Sequence, residues 1–200
     1  MPHAHPHPHA HPHANANAAM HLSDAGRRAL TQAEAIRHDY YNDQAHNCTY
    51  GVGTLVHYGP CTATETATPV TDAMIANSLS SSIADAERTV RRSVTDHPLT
   101  QEQFDAAVRF IYNTGPGGRA ALHPANTGDM PTVASRMQTY VQVCQHDPHT
   151  GRRIPGTCHI SNGLVNRRAA EAAPFRQPAA PAPNTPNTPN TPTTPAAPRP

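Results

Sequence analysis

The chain has 200 residues, enough for one domain with tails, and a formal charge of +1. All of its basic residues are arginine, and the near-neutral balance gives no electrostatic footprint for nucleic acid or an anionic membrane. No run of about 18 apolar residues exists that would span a membrane, and the N-terminus lacks the basic-then-apolar pattern of an ordinary secretory signal. Residues 1–21 are dominated by His, Pro, Ala and Asn, with His at every second position from His3 to His13. The prolines at 6, 8 and 12 forbid a regular strand, so the segment reads as an extended, polyproline-like disordered tail. Weak binding of nickel, copper or zinc by the spaced imidazoles is its second reading. Residues 177–200 repeat Asn-Thr-Pro and hold no large apolar side chains, so they read as a second disordered tail. That leaves a folded body at 22–176.

Leu22-Ser23-Asp24 offers a cap, and Ala25 to Arg37 reads as helix, with Gly26 weakening its first turn. Residues 39–61 change character: Thr49, Tyr50, Val52, Leu55, Val56 and Tyr58 favour strand, and Gly51 and Gly53 punctuate them. A small hairpin or meander follows from this. Val70-Thr71-Asp72 can cap a helix whose apolar positions recur at helical spacing from Ala73 to about Val94. Thr100 and Gln103 form a capping box before Phe104, Ala107, Val108 and Ile111, and Gly115 to Gly118 with Pro116 ends that helix. Pro131 to Val143 and Gly163 to Ala173 read as two further amphipathic helices. The fold class is α+β: mostly helical, with one small antiparallel sheet near the N-terminal side.

The cysteines form two local pairs, Cys48 with Cys61 and Cys144 with Cys158, and neither has the two-residue spacing of a zinc knuckle. Each pair flanks a turn-rich segment, which suits a disulfide closing a short loop. Four buried free thiols is the alternative. No cofactor or metal site is expected in the body.

Glu34 falls in the last turn of the first helix, where the partial negative charge of the helix end disfavours an ionised carboxylate. Asp43 stands where the chain enters the hairpin, and Thr49 lies six residues beyond. Taken singly these are a solvated helix residue, a turn residue and a strand residue. Their order and spacing, followed by Tyr50-Gly51-Val52-Gly53, resemble the active-site segment of phage-type lysozymes, glycoside hydrolase family 24. Asn47-Cys48-Thr49 through His57-Tyr58-Gly59-Pro60-Cys61 resembles the endolysin subset. Leu99 through Phe110-Ile111-Tyr112-Asn113-Thr114-Gly115 is similar to the family's central helix and its Asn-x-Gly exit, and Gly163 to Arg168 with Glu171 to its closing helix. The resemblance runs from about residue 22 to 175. Three features depart from it: Ala35 replaces a common Gly, Thr54 replaces a common His, and the turn from Gln44 to Asn47 has no Gly, so Asn47 is expected to take the left-handed conformation.

The resemblance implies a lysozyme-like fold and a muramidase that hydrolyses the β-1,4 bond between N-acetylmuramic acid and N-acetylglucosamine in peptidoglycan. It implies Glu34 as general acid, Asp43 as second carboxylate and Thr49 as holder of the attacking water, with inversion and a carboxyl separation of roughly 6.5–9.5 Å. Asn113 is expected to line the sugar cleft or simply to end its helix. Arg167 and Arg168 are expected to be structural, pairing with acidic residues. An oxidising workplace favours the disulfide reading of the cysteines. The expected partner is peptidoglycan, with the protein a monomer and without stable membrane insertion. It is expected to be made in the cytoplasm and to act at the cell wall in the periplasm, as a phage endolysin. An exported antibacterial effector with the same chemistry and a wall-binding module without catalysis are the alternatives. A histidine-rich metal-binding protein is a third reading, and it rests on the first thirteen residues alone.

Overall fold

The computed structural model describes residues 14–34 and 36–176. The alternating histidines from His3 to His13, with their metal-binding reading, and the Asn-Thr-Pro repeats lie outside the described residues. The sequence boundary at residue 22 is too late. Asn17 is fully buried: its side-chain amide donates to the carbonyls of Val94 and His97, both at 2.9 Å, and its side-chain carbonyl accepts from Leu99 N–H at 2.8 Å. The Asn15 side chain donates to the Arg91 carbonyl at 2.6 Å. These asparagines satisfy backbone groups at the end of one long helix and in the following turn, groups that would otherwise be stranded away from water. The segment before residue 22 is thus part of the body.

Helix α1 spans Asp24–Ala33. Ser23 caps it, its hydroxyl accepting from Gly26 N–H at 3.0 Å. Gly26 is there for close approach, since a Cβ would lie 2.6 Å from both Leu22 and Asp105 side-chain carbons. Asp105 in turn accepts from Ser23 N–H at 3.0 Å and from the Ser23 hydroxyl, fixing the start of α1 on the central helix. The helix stops earlier than the expected Arg37, because Arg37 already belongs to a strand.

Strands β1 (Arg37–Asn42), β2 (Cys48–Gly51) and β3 (Thr54–His57) form an antiparallel meander in the order β1-β2-β3. Tyr41 lies opposite Thr49, and Asn42 opposite Cys48. In the β1–β2 turn the left-handed residue is His46, with φ 61°, not Asn47. Asp43 explains this: one carboxylate oxygen, Oδ1, accepts from Ala45 N–H and Asn47 N–H, both at 2.8 Å, so the turn is built around the aspartate. Val52, Val70 and Ile75 form a small core beneath the sheet.

The short helix α2 (Ala63–Thr66) begins with a capping box between Thr62 and Glu65. Helix α3 (Asp72–Ser93) is capped by Thr71, and α4 (Gln101–Thr114) by the expected Thr100–Gln103 box. Helix α4 is the centre of the main core. Phe104, Ala107, Val108, Phe110 and Ile111 are buried between Val90 and Val94 on one side and Val133, Met137 and Phe175 on the other. Apolar burial of this kind contributes on the order of 1.5–3 kcal/mol for each large side chain.

Helix α5 (Met130–Met137) ends six residues before the expected Val143. Thr139, Tyr140, Val141 and Val143 are better suited to extended backbone. The chain turns, Tyr140 packs edge-on against Phe110 at 5.2 Å, and β4 (Gln142–Val143) pairs antiparallel with β5 (His159–Ile160). This second, two-stranded ribbon was not expected from the sequence. Helix α6 (Asn162–Ala172) closes the fold. Both cysteine pairs are disulfides, Cys48–Cys61 and Cys144–Cys158.

Candidate active site

A cleft of about 1530 Å³ runs between the three-stranded sheet and the helices, and Glu34, Asp43, Thr49, Asn113 and Arg167 all line it. All four candidate site residues from the sequence are therefore brought to one groove.

Glu34 is the first residue past α1, in extended conformation, its N–H still bonded to Leu30 at 3.2 Å. Its carboxylate Oε1 accepts from Arg167 Nη1 at 2.5 Å. Its other oxygen faces the β2–β3 turn, where a Cβ at Gly53 would stand 3.4 Å away. The carboxyl is thus held between a guanidinium and a turn backbone, with the side chain 17% exposed. The carboxyl at the helix end therefore faces a cation.

Arg167 projects from α6 and joins three elements. It pairs with Glu34, donates from Nε to Glu171 at 3.0 Å and reaches the Arg109 carbonyl on α4 at 3.5 Å. Burial works against its charge, but Glu34 and Glu171 more than offset this and raise its pKa. Behind it, Arg168 pairs with Glu171, and both side chains are almost completely enclosed. Burial lowers Arg168 to about 10 and pushes the Glu171 carboxyl up, so enclosure opposes both charges. Arg168 also donates to Asn113 Oδ1. Asn113 thus lines the cleft with its carbonyl already engaged.

Asp43 spends Oδ1 on the turn, and its second oxygen accepts no protein hydrogen bond among the described residues. Thr49 lies on β2, 3% exposed, its hydroxyl donating to the Asn47 carbonyl at 3.3 Å. Two tyrosines frame the carboxylates. Burial raises the Tyr41 phenol; Arg37, stacked over its ring at 4.1 Å, opposes the rise, and Glu34 and Asp43 add to it. Burial and then Glu34 likewise raise Tyr112, whose hydroxyl donates to the Val52 carbonyl at 3.1 Å.

The sequence assigned Arg167 and Arg168 to structural pairs, which they do form, but gave no sign that Arg167 reaches the cleft. The contact joins residues 133 positions apart, and only the Arg167–Glu171 spacing on one helix face was locally visible. Among the described residues the group of metal-ligand type is Cys48, Cys61 and Glu65, and both sulfurs are committed to the disulfide. No helix among these residues is long and apolar enough to cross a membrane.

Glycosidic hydrolysis takes a pair of carboxyl groups, and two of them line this groove. Comparison with known proteins identifies the family and the fold. Residues 31–171 match the phage lysozyme family. The endolysin of Escherichia coli O157:H7 phage FAHEc1 is 27% identical, with a TM-score of 0.62 over 79% of this chain and 94% of that one. The muramidase domain of SpmX from Asticaccaulis excentricus shares the fold at 23% identity, with a TM-score of 0.59 over 80% of this chain and 100% of that one. The active form of the P1 phage endolysin Lyz does so at 21% identity, with a TM-score of 0.55 over 80% and 86%. No curated protein sequence matches the chain. With the lysozyme-like fold, the cleft and a family match over most of its length, the chain belongs to the phage lysozyme family, glycoside hydrolase family 24.

Proposed function

We propose that this protein hydrolyses the β-1,4 bond between N-acetylmuramic acid and N-acetylglucosamine in bacterial peptidoglycan. The observation that carries the reading is the convergence of Glu34, Asp43 and Thr49 on one cleft. Glu34 donates a proton to the leaving glycosidic oxygen. Asp43, through the oxygen its turn leaves free, takes a proton from water. The resulting hydroxide attacks the anomeric carbon from the opposite face. Thr49 both donates and accepts, and so holds that water in line. Arg167 positions the Glu34 carboxyl through a charge-assisted hydrogen bond. The products are a free reducing end and a free hydroxyl, and Glu34 and Asp43 are reset by proton exchange with solvent.

Its biological place on this reading is that of a phage endolysin acting as a monomer on the wall of the host, in the periplasm. The two disulfides suit that compartment. A holin gene beside its own supports this role, and an immunity gene in that position overturns it in favour of an exported antibacterial effector.

Mass spectrometry of digested peptidoglycan tests the reaction. Reducing-end muropeptides are expected. Anhydro-muramyl products would show that no water is added and that Asp43 has no such role.

A further inference from the structure

The two oxygens of Glu34 have different surroundings. Oε1 accepts from Arg167 Nη1 at 2.5 Å. A guanidinium only donates, so a proton on Oε1 would compete with that bond, and the proton of the acid form belongs on Oε2. Oε2 faces the turn between β2 and β3, where a Cβ at Gly53 would stand 3.4 Å away. The oxygen that meets the leaving glycosidic oxygen is therefore the one beside the Gly53 backbone. The position of that turn sets the room next to it.

The turn is tied to the helical body from α4. Gly51 and Gly53 take positive φ, 63° and 83°, a conformation that favours glycine. Val52 between them is fully buried, its side chain packed with Val70 and Ile75. The Val52 carbonyl accepts from the Tyr112 hydroxyl at 3.1 Å. Among the described residues this is the only hydrogen bond between α4 and the three-stranded sheet or its turns. Tyr112 is half-buried and lines the same cleft as Glu34. Burial and then Glu34 push its phenol up, so the group stays protonated and remains a donor. One residue further along the turn from Gly53, the Thr54 hydroxyl donates to Ser78 on α3 at 3.2 Å. A phenylalanine at 112 would fill the place of the ring but could not hold the carbonyl.

We propose that Tyr112 is a positioning residue for proton delivery: by holding the Val52 carbonyl it fixes the turn beside Glu34 Oε2, and so sets the approach of the glycosidic oxygen to the acid. The proposal rests on Glu34 being the general acid, as above. Tyr112 acts through the turn and exchanges no proton itself. Two clamps then serve one carboxyl. Arg167 holds Oε1 from α6, and Tyr112 sets the surroundings of Oε2 from α4.

Tyr112→Phe tests this, since it keeps the ring and removes the hydroxyl. On soluble muropeptide oligomers kcat is expected to fall about tenfold, within the cost of a misplaced reacting group. KM is expected to change by less than about twofold, because the hydroxyl acts on the reacting carboxyl and not on the hold on the glycan. Thermal unfolding gives the folded fraction to which rates are normalised. Combined with Arg167→Met, the loss is expected to be smaller than the product of the two single losses, because both substitutions loosen the same carboxyl. A Tyr112→Phe protein with unchanged kcat would overturn the proposal. So would a loss that appears in KM alone, or one that multiplies in full with that of Arg167→Met. Failure of the acid reading itself shows elsewhere, as an undiminished rate for Glu34→Gln, so the two failures are distinguishable.

Discussion

Arg167 on the closing helix donates to the Glu34 carboxylate at 2.5 Å, so the residue that ends the first helix is positioned from the far end of the fold. The same guanidinium is shared with Glu171, 0% exposed in α6. The proton donor proposed for the reaction is therefore oriented by a buried ionic chain, and its precision depends on that chain staying intact.

Arg167→Met is expected to lower kcat by about a hundredfold, the scale of a misplaced catalytic group, with KM changed much less. Arg167→Lys keeps the charge but loses the planar fork, and an intermediate loss is expected. Steady-state rates on soluble muropeptide oligomers give the split. An Arg167→Met protein with unchanged kcat would remove the positioning role.

The Arg168–Glu171 pair predicts a strongly non-additive stability pattern. Their side chains are 1% and 0% exposed, and burial opposes the charge on each. Glu171→Leu alone strands the buried Arg168 charge and is expected to cost about 3–5 kcal/mol, whereas Arg168→Met leaves Glu171 paired with Arg167 and is expected to cost less. The double substitution removes both charges and is expected to be more stable than Glu171→Leu alone. Denaturant midpoints measure this, and a double mutant as unstable as the sum of the singles would contradict it.

Asn17 anchors the segment before α1 by three hydrogen bonds to backbone around residues 94–99. Asn17→Ala leaves two carbonyls and one N–H without their partner, and a loss of about 1–3 kcal/mol or more is expected, the scale of stranded buried polar groups. Deleting residues 1–20 is expected to cost at least as much. Thermal unfolding compares the three proteins. A deletion that leaves Tm unchanged would show that the segment does not contribute to the fold.

Glu65 and His57 give a pH window. Thr62, donating from its N–H and hydroxyl, and then His57 at 3.0 Å lower the Glu65 carboxyl from 4.5 to about 2. That contribution to stability is present above about 4.5 and is lost as pH falls toward 2. His57 is raised from 6.5, first by the Tyr58 carbonyl and then by Glu65, so its contribution is complete below 6.5 and is lost as pH rises through its raised pKa. The stability deficit of Glu65→Gln against the unmodified protein is expected to be largest between these limits. Thermal melts across pH 2–9 measure it, and a deficit independent of pH would contradict the assignment.

Local signals were legible in the sequence. The Thr100–Gln103 box and the Ser23 cap set helix starts through bonds that span three residues, and the structure keeps both. The cysteine pairs, each closing a loop rich in turns, are joined as their spacing suggested. What stayed hidden depends on distant partners. Asn17 sits in a stretch of Asn and Ala that composition alone assigns to a tail, and its role appears only beside the end of α3. Val141 and Val143 keep a helical register with the residues before them, yet Gln142 and Val143 pair as strand because a partner lies across the Cys144–Cys158 loop. Of the site, the resemblance to phage-type lysozymes offered Glu34, Asp43 and Thr49 as candidates, and all three line the cleft. The guanidinium that holds Glu34 comes from a helix whose own pattern gives no hint of it.

The central claim is that Glu34 supplies the proton that breaks the glycan strand. Its most direct measurement is the rate of new reducing ends from purified sacculi for the wild type and for Glu34→Gln, which keeps the shape and removes the acid. A loss of at least about a hundredfold is expected, the ordinary scale for removing a general acid. A glutamine variant that cuts the wall at a comparable rate would contradict it.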